Sequence, residues 1–221
     1  MVTIGLLGGS FDPVHTAHLE MADVFTSELA LDEVRFIPAS QPWQKHRLFA
    51  TGPQREAMLA AALAHHQPPT GRYVIDAREL QRAGKTYTID TLEALRREEG
   101  RDVSLVFLFG ADQLVHLNTW KDWRRLWDYA HLAAVTRPGF DVHALPQEVA
   151  QVWSARLADA RELHLRECGR SVLLEDFSFD ISATKIRAAL AADDARSRVL
   201  STRLVPPAVL DYIRTNHLYR S

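Results

Sequence analysis

The sequence predicts an α/β fold in which a mostly parallel, doubly wound sheet carries helices on both faces. Three observations lead there. Short apolar runs alternate with longer helical patterns along the chain, the rhythm of βαβ units. The run "VSLVFLFG" (103–110) has hardly a polar interruption, as a strand buried on both faces requires. The first apolar run breaks at Gly8-Gly9 and passes directly into a helical pattern.

Taken in order, strands are expected at Thr3–Leu7, Glu33–Pro38, Tyr73–Ala77, Ser104–Phe109, His131–Thr136 and Ser171–Glu175. Between the first two, Met21, Ala22, Phe25 and Leu29 share one helical face. Starting near Pro13 or Val14, such a helix would fill the gap. Gln54–His65 is rich in alanine and leucine with a similar stripe, and Thr88–Glu99 runs from a capping threonine to Gly100. The mixed segment 141–170 reads as a helical insertion of one or two surface helices before the last strand. Helices are expected again at Ile181–Ala192 and Pro207–His217, the latter with proline in its first turn. No linker stands out, so residues 1–221 are expected to form one domain, with 181–221 as its C-terminal helical part.

The bulk numbers exclude several classes. A formal net charge of -2 over 221 residues provides no global field for nucleic acid or an anionic membrane. Any polyanion must be held locally. Cys168 is the only cysteine, so no intrachain disulfide can form. Neither a signal peptide nor an apolar run of the roughly 18–20 residues needed to span a membrane is present. A cytoplasmic protein, monomer or homo-oligomer, is expected, with no nucleic-acid or membrane partner.

The chemistry begins at "IGLLGGSFDPVHTAHL" (4–19). In open parallel sheets ligands bind beyond the carboxyl ends of the strands. A glycine turn there lets the backbone approach a phosphate, and the next helix offers its free N–H groups. Gly8, Gly9 and Ser10 sit at that place. There is no Gly-Lys-Ser/Thr and no Gly-x-Gly-x-x-Gly, so neither a P-loop nor a dinucleotide fingerprint applies. The turn delivers imidazoles instead: His15 and His18, one helical turn apart at the positive end of a helix dipole. A neutral imidazole still donates one N–H, and two such donors suit an oxyanion or a triphosphate. A solvated or capping histidine pair is the bland alternative, and no recognised zinc spacing accompanies it. At the far end "ISATKIR" (181–187) is a helix start, with Ser182 as N-cap. Ser182, Thr184 and Arg187 there also gather two hydroxyls and a guanidinium, a good anion site.

"GGSFDPVHTAHL" resembles the amino-terminal signature of the nucleotidyltransferase superfamily, with Ala17 where the family has glycine. "ISATKIR" resembles that superfamily's second, triphosphate-gripping motif. "PWQK" (42–45), "KTYTIDTL" (85–92) and "GADQLVHLNTW" (110–120) resemble segments of the bacterial nicotinate-mononucleotide adenylyltransferases, and the likeness covers nearly the whole chain. The resemblance implies a Rossmann-like fold and transfer of AMP from ATP to nicotinate mononucleotide, a late step of NAD biosynthesis, with Mg²⁺ accompanying ATP. It further implies that Gly8, Gly9, Ser10, Phe11, His15, His18, Gly110, Asp112, Ile181, Ser182, Thr184 and Arg187 bind ATP. Lys45, Tyr87, Thr88, Ile89, Thr91, Asp112, Trp120 and Lys121 would bind the mononucleotide, with His15, His18, Lys45 and Arg187 acting in catalysis. No protein metal ligand is expected. Another adenylyl- or cytidylyltransferase, for example one acting on phosphopantetheine, and a catalytically silent nucleotide-binding protein are the alternatives.

Overall fold

The computed structural model describes residues 1–41, 48–82, 84–175, 181–192 and 194–220. Six strands, Val2–Gly9 (β1), Glu33–Pro38 (β2), Arg72–Ile75 (β3), Val103–Gly110 (β4), His131–Val135 (β5) and Ser171–Leu174 (β6), form one sheet. Every pairing is parallel and the order is β3-β2-β1-β4-β5-β6. Ile4 of β1 lies opposite Glu33 on one side and Leu105 on the other. The chain therefore winds outward through β2 and β3, returns past β1, and winds the other way through β4 to β6. That reversal leaves a crevice at the carboxyl ends of β1 and β4.

The helices are Thr16–Glu28 (α1), Gly52–Leu63 (α2), Thr88–Glu99 (α3), Gln147–Ser154 (α4), Ala183–Ala192 (α5), Ala195–Leu204 (α6) and Pro207–Thr215 (α7). Side chains alternate across the pleat. Leu7, Val106 and Leu108 enter a core completed by Phe25, Leu29, Met58, Leu59, Ile186 and Val209, from α1, α2, α5 and α7. Ile4, Leu6, Leu105 and Phe107 enter the opposite core with Leu92 and Leu95 of α3 and Trp153 of α4. Each fully buried Leu or Phe contributes roughly 1.5–3 kcal/mol. The mean sheet is thus covered on both faces, as its uninterrupted apolar strands demand.

Several expectations shift. Helix α1 begins at Thr16 rather than near Pro13 or Val14, because His15 takes the extended N-cap conformation. Helix α2 begins at Gly52 because Thr51 caps it and Gln54 closes a capping box. Segment 141–170 contains one α-helix, α4, flanked by the 3₁₀ turns Val142–Ala144 and Ala160–His164. Helix α6, absent from the reading of the sequence, follows α5 and is capped by Asp194, which accepts from the Ser197 N–H at 2.9 Å. The segment after β4 is 3₁₀ at Ala111–Thr119 and again at Trp123–Asp128. No helix among the described residues is long and apolar enough to cross a membrane.

Candidate active site

A cavity of about 300 Å³ opens at the carboxyl ends of β1, β2 and β4, where the winding direction changes. Its walls include Gly8, Gly9 and Ser10 after β1, Ala39 after β2 and Phe107, Phe109 and Gly110 of β4. His18, Glu79, Thr86, Thr88, Thr91, Gln113 and Trp120 complete it.

The loop between β1 and α1 is tightly built. A Cβ on Gly9 would stand 2.9 Å from the ring of Phe11, so only glycine lets that ring fold back under the turn. Phe11 itself has φ +46 and is fully buried. Its ring meets His18 edge-on at 5.0 Å and Phe36 at 5.9 Å. The buried Arg55 donates from Nη1 to the Ser10 carbonyl at 2.8 Å, and burial holds its guanidinium below the ordinary value.

His15 and His18 stack with ring centroids 3.7 Å apart. The His15 N–H donates to Nδ1 of His18 at 3.2 Å, which closes the helix cap. An Nδ1 that accepts leaves the proton of the neutral ring on Nε2. The helix cap therefore sets the tautomer of the imidazole that lines the cavity. His15 is buried and does not line it. Ala17, the second residue of α1, is buried in the core.

The second cluster meets the first. Ser182 caps α5 by accepting from the Lys185 N–H at 3.3 Å. Ile181 is buried and Thr184 is exposed. Arg187 donates from Nη1 to the Asp12 carbonyl at 2.6 Å and from Nη2 to Thr184 Oγ1 at 3.2 Å. Its guanidinium lies over the ring of Phe49 at 4.5 Å. Two motifs some 170 residues apart in sequence are thereby joined by one hydrogen bond between residues 12 and 187.

Around the start of α3 the roles divide. Thr88 lines the cavity as the first helical residue, with Tyr87 as N-cap and Ile89 buried behind. Thr91 also lines it, but its hydroxyl donates to Glu79 Oε1 at 2.7 Å and accepts from Arg82 Nη1 at 2.9 Å. Burial pushes the Glu79 carboxyl above the usual carboxylate range, against the hydrogen bonds from Thr91 and Thr86 that pull it down. Trp120 packs on Phe107 and Phe109 at centroid distances of 6.0 and 6.4 Å. Its buried Nε1 has no hydrogen-bond partner among the described residues. Lys121 is exposed, paired with Asp90 at 2.8 Å and set over the Tyr87 ring at 5.0 Å. At Gly110 a Cβ would stand 2.6 Å from Asp112 Oδ1. Asp112 itself is exposed and accepts from Gln113 Nε2 at 3.0 Å.

Lys45, with the rest of Pro42–Lys45, lies outside the described residues. Among those that are described, no group of three or more His, Cys, Asp or Glu side chains is arranged to hold a metal ion. Reading the sequence missed Asp12, Arg55, Glu79 and Tyr219. Asp12 lies inside the quoted signature, yet only its burial and its hydrogen bonds distinguish it.

Comparison with known proteins agrees with this fold. The model of the cytidylyltransferase-like family matches residues 6–189. A protein of Herminiimonas arsenicoxydans named "Probable nicotinate-nucleotide adenylyltransferase" is 47 % identical over 220 residues, covering 99 % of this chain and 97 % of its own. One of the same name from Chromobacterium violaceum is 48 % identical over 221 residues, covering 98 % of each. The nicotinic acid mononucleotide adenylyltransferase of Plasmodium falciparum, solved in complex with NaAD, shares the fold with a TM-score of 0.77 at 17 % identity, over 99 % of this chain and 98 % of that one. With a family model spanning most of its length and full-length relatives at nearly half identity, the chain belongs to the cytidylyltransferase-like family, among the nicotinate-nucleotide adenylyltransferases.

Proposed function

We propose that the chain transfers the adenylyl group of ATP to nicotinate mononucleotide, yielding nicotinate adenine dinucleotide and pyrophosphate. The observation that carries this reading is the contact of Arg187 with the Asp12 carbonyl at 2.6 Å, beside the switch-point cavity. It ties the hydroxyl–guanidinium cluster to the loop whose Gly8, Gly9 and Ser10 line the cavity, which supports a reading in which both clusters hold one polyanion. The full-length likeness to relatives named for this activity supports the choice of acceptor.

In this reading the mononucleotide phosphate attacks the α-phosphorus in line. An oxygen–phosphorus bond forms as the bond to the β,γ-pyrophosphate breaks. The phosphate is already ionised, so no general base is needed and no covalent enzyme intermediate forms. Catalysis is positioning together with charge stabilisation. His18 Nε2–H, with His15 stacked on it, holds the triphosphate. Ser182, Thr184 and Arg187 receive the pyrophosphate. Mg²⁺ enters on ATP as part of the substrate, held by phosphate oxygens and water. Thr88 and Trp120 flank the pyridine ring, where backbone N–H groups at Thr88–Ile89 favour a carboxylate over an amide.

The test is pyrophosphate release on mixing the protein with MgATP and, separately, nicotinate mononucleotide, its amide and phosphopantetheine. Release with the first and a higher kcat/KM for acid than amide are expected. Equal kcat/KM for acid and amide defeats the assignment of the pyridine subsite. Release with phosphopantetheine alone moves the chain to another acceptor.

A further inference from the structure

Asp12 is 2 % exposed and, among the described residues, takes part in four hydrogen bonds. Its Oδ2 accepts from the Phe49 N–H at 2.7 Å, and its Oδ1 from the Ala50 N–H at 3.1 Å. The same Oδ1 accepts from the Tyr219 hydroxyl at 2.6 Å. Its carbonyl accepts from Arg187. Three separate stretches of chain, at 49–50, 187 and 219, thus converge on one residue, three positions before His15. A buried carboxylate that loses one of these donors has no solvent to replace it.

Tyr219 is the least expected of these partners. It stands next to the end of the described chain, after α7 has finished, at φ +59. An aromatic residue adopts that left-handed conformation only where its surroundings hold it there. His217, two residues earlier, has φ +51. The turn so formed carries the phenol back across 207 positions to Asp12. Burial, and after it the carboxylate of Asp12, keep the hydroxyl protonated and so a donor. Arg55 and Arg187 are the cations facing the pair.

We propose that Tyr219 is a positioning residue for adenylyl transfer: from the turn after α7 it holds Asp12, and through Asp12 it sets Arg187 against the polyphosphate. This rests on the reading above that Arg187 faces ATP. Tyr219 touches no substrate. It acts on the triphosphate side alone, since the pyridine side of the cavity is built from Glu79, Thr88 and Trp120.

The experiment is Tyr219→Phe, which keeps the ring and removes only the hydroxyl. Binding of a non-hydrolysable ATP analogue and of nicotinate mononucleotide is measured separately by calorimetry, alongside steady-state kinetics and a melting curve. Analogue Kd is expected to rise about tenfold, with mononucleotide Kd within twofold of wild type. A melting point that falls while both ligands weaken equally shows a merely structural tyrosine and overturns the proposal, as does unchanged analogue binding. Asp12→Ala and the double variant provide the second arm. A tyrosine that acts through the Asp12 carboxylate adds nothing to the loss already caused by Asp12→Ala, whereas losses that multiply overturn the route. Analogue binding does not depend on the acceptor, so a wrong acceptor leaves this result standing.

Discussion

Truncating His18 to alanine removes both ring nitrogens, and their two effects are separable. Nδ1 accepts from the His15 N–H and caps α1; loss of a cap costs about 1 kcal/mol of stability. Nε2 is left as the N–H by that bond, on a residue that lines the cavity. Removing one donor aimed at developing negative charge costs roughly 2.7–4 kcal/mol of barrier, a factor of about 10²–10³ in kcat. His18→Ala should therefore lose a hundredfold or more in pyrophosphate release and about 1 kcal/mol in urea denaturation. His18→Glu provides the control. Glutamate at the third helical position closes a capping box and suits the helix dipole, so stability returns, yet its charge opposes the triphosphate and activity does not. Near-normal turnover in His18→Ala, or a His18→Glu variant more active than His18→Ala, refutes the reasoning.

Two further perturbations follow from buried titratable groups. Glu79→Ala removes the acceptor of Thr91 and Thr86 and should raise KM for the mononucleotide about tenfold, roughly 1.4 kcal/mol, while leaving KM for ATP near wild type. Glu79→Gln, which still accepts, should recover most of the loss; an equal rise for both substrates argues against a role on the pyridine side. Burial pushes the His131 imidazole down to about 4, with Nδ1 accepting from the Arg170 N–H and Nε2 bonded to the Arg166 carbonyl. The folded state keeps this ring neutral while the unfolded chain protonates it below about 6.5. Stability is then fully present above pH 6.5 and falls toward pH 4 by about 3 kcal/mol. His131→Asn should flatten that pH dependence in chemical denaturation, and an unchanged slope shows that other groups cause it.

The sheet was readable because parallel strands buried on both faces leave long apolar runs. β2 has the predicted ends, Glu33–Pro38, and the others move by one or two residues. Helix α3 has the predicted bounds, Thr88 to Glu99 before a Gly100 with φ +72, but its N-cap is Tyr87 rather than the expected Thr88, which is already helical. Helix α6 was not. Its sequence, "ARSRVLSTRL", buries only Ser201 and leaves Val199 72 % and Leu200 42 % exposed. An apolar stripe exists only where a core asks for one, so the sole signal was Asp194 three positions before Ser197. The start of α1 was misplaced for a related reason. Imidazole is an unusual cap, and a capping box closed by histidine rather than Glu or Gln has no familiar signature.

At the site, motif and support differ in how they are written into the chain. Groups that meet a ligand must arrive in a set order on one turn, so Gly8 to His18 and Ile181 to Arg187 form short, recognisable strings. Groups that hold those strings in place face no such constraint. Arg55 serves the Ser10 carbonyl from a helix that otherwise looks like ordinary packing. Glu79, in "AREL", looks like a solvated charge until the fold buries it against Thr91. Tyr219 reaches Asp12 from the opposite end of the sequence. A support of this kind costs free energy when buried without its partner, and the partner's identity is set by folding alone. The chemistry is therefore written locally and the precision of its placement non-locally. For that reason the Tyr219 and Glu79 variants should disturb one substrate each, on opposite sides of a single cavity, while neither touches the reacting phosphates.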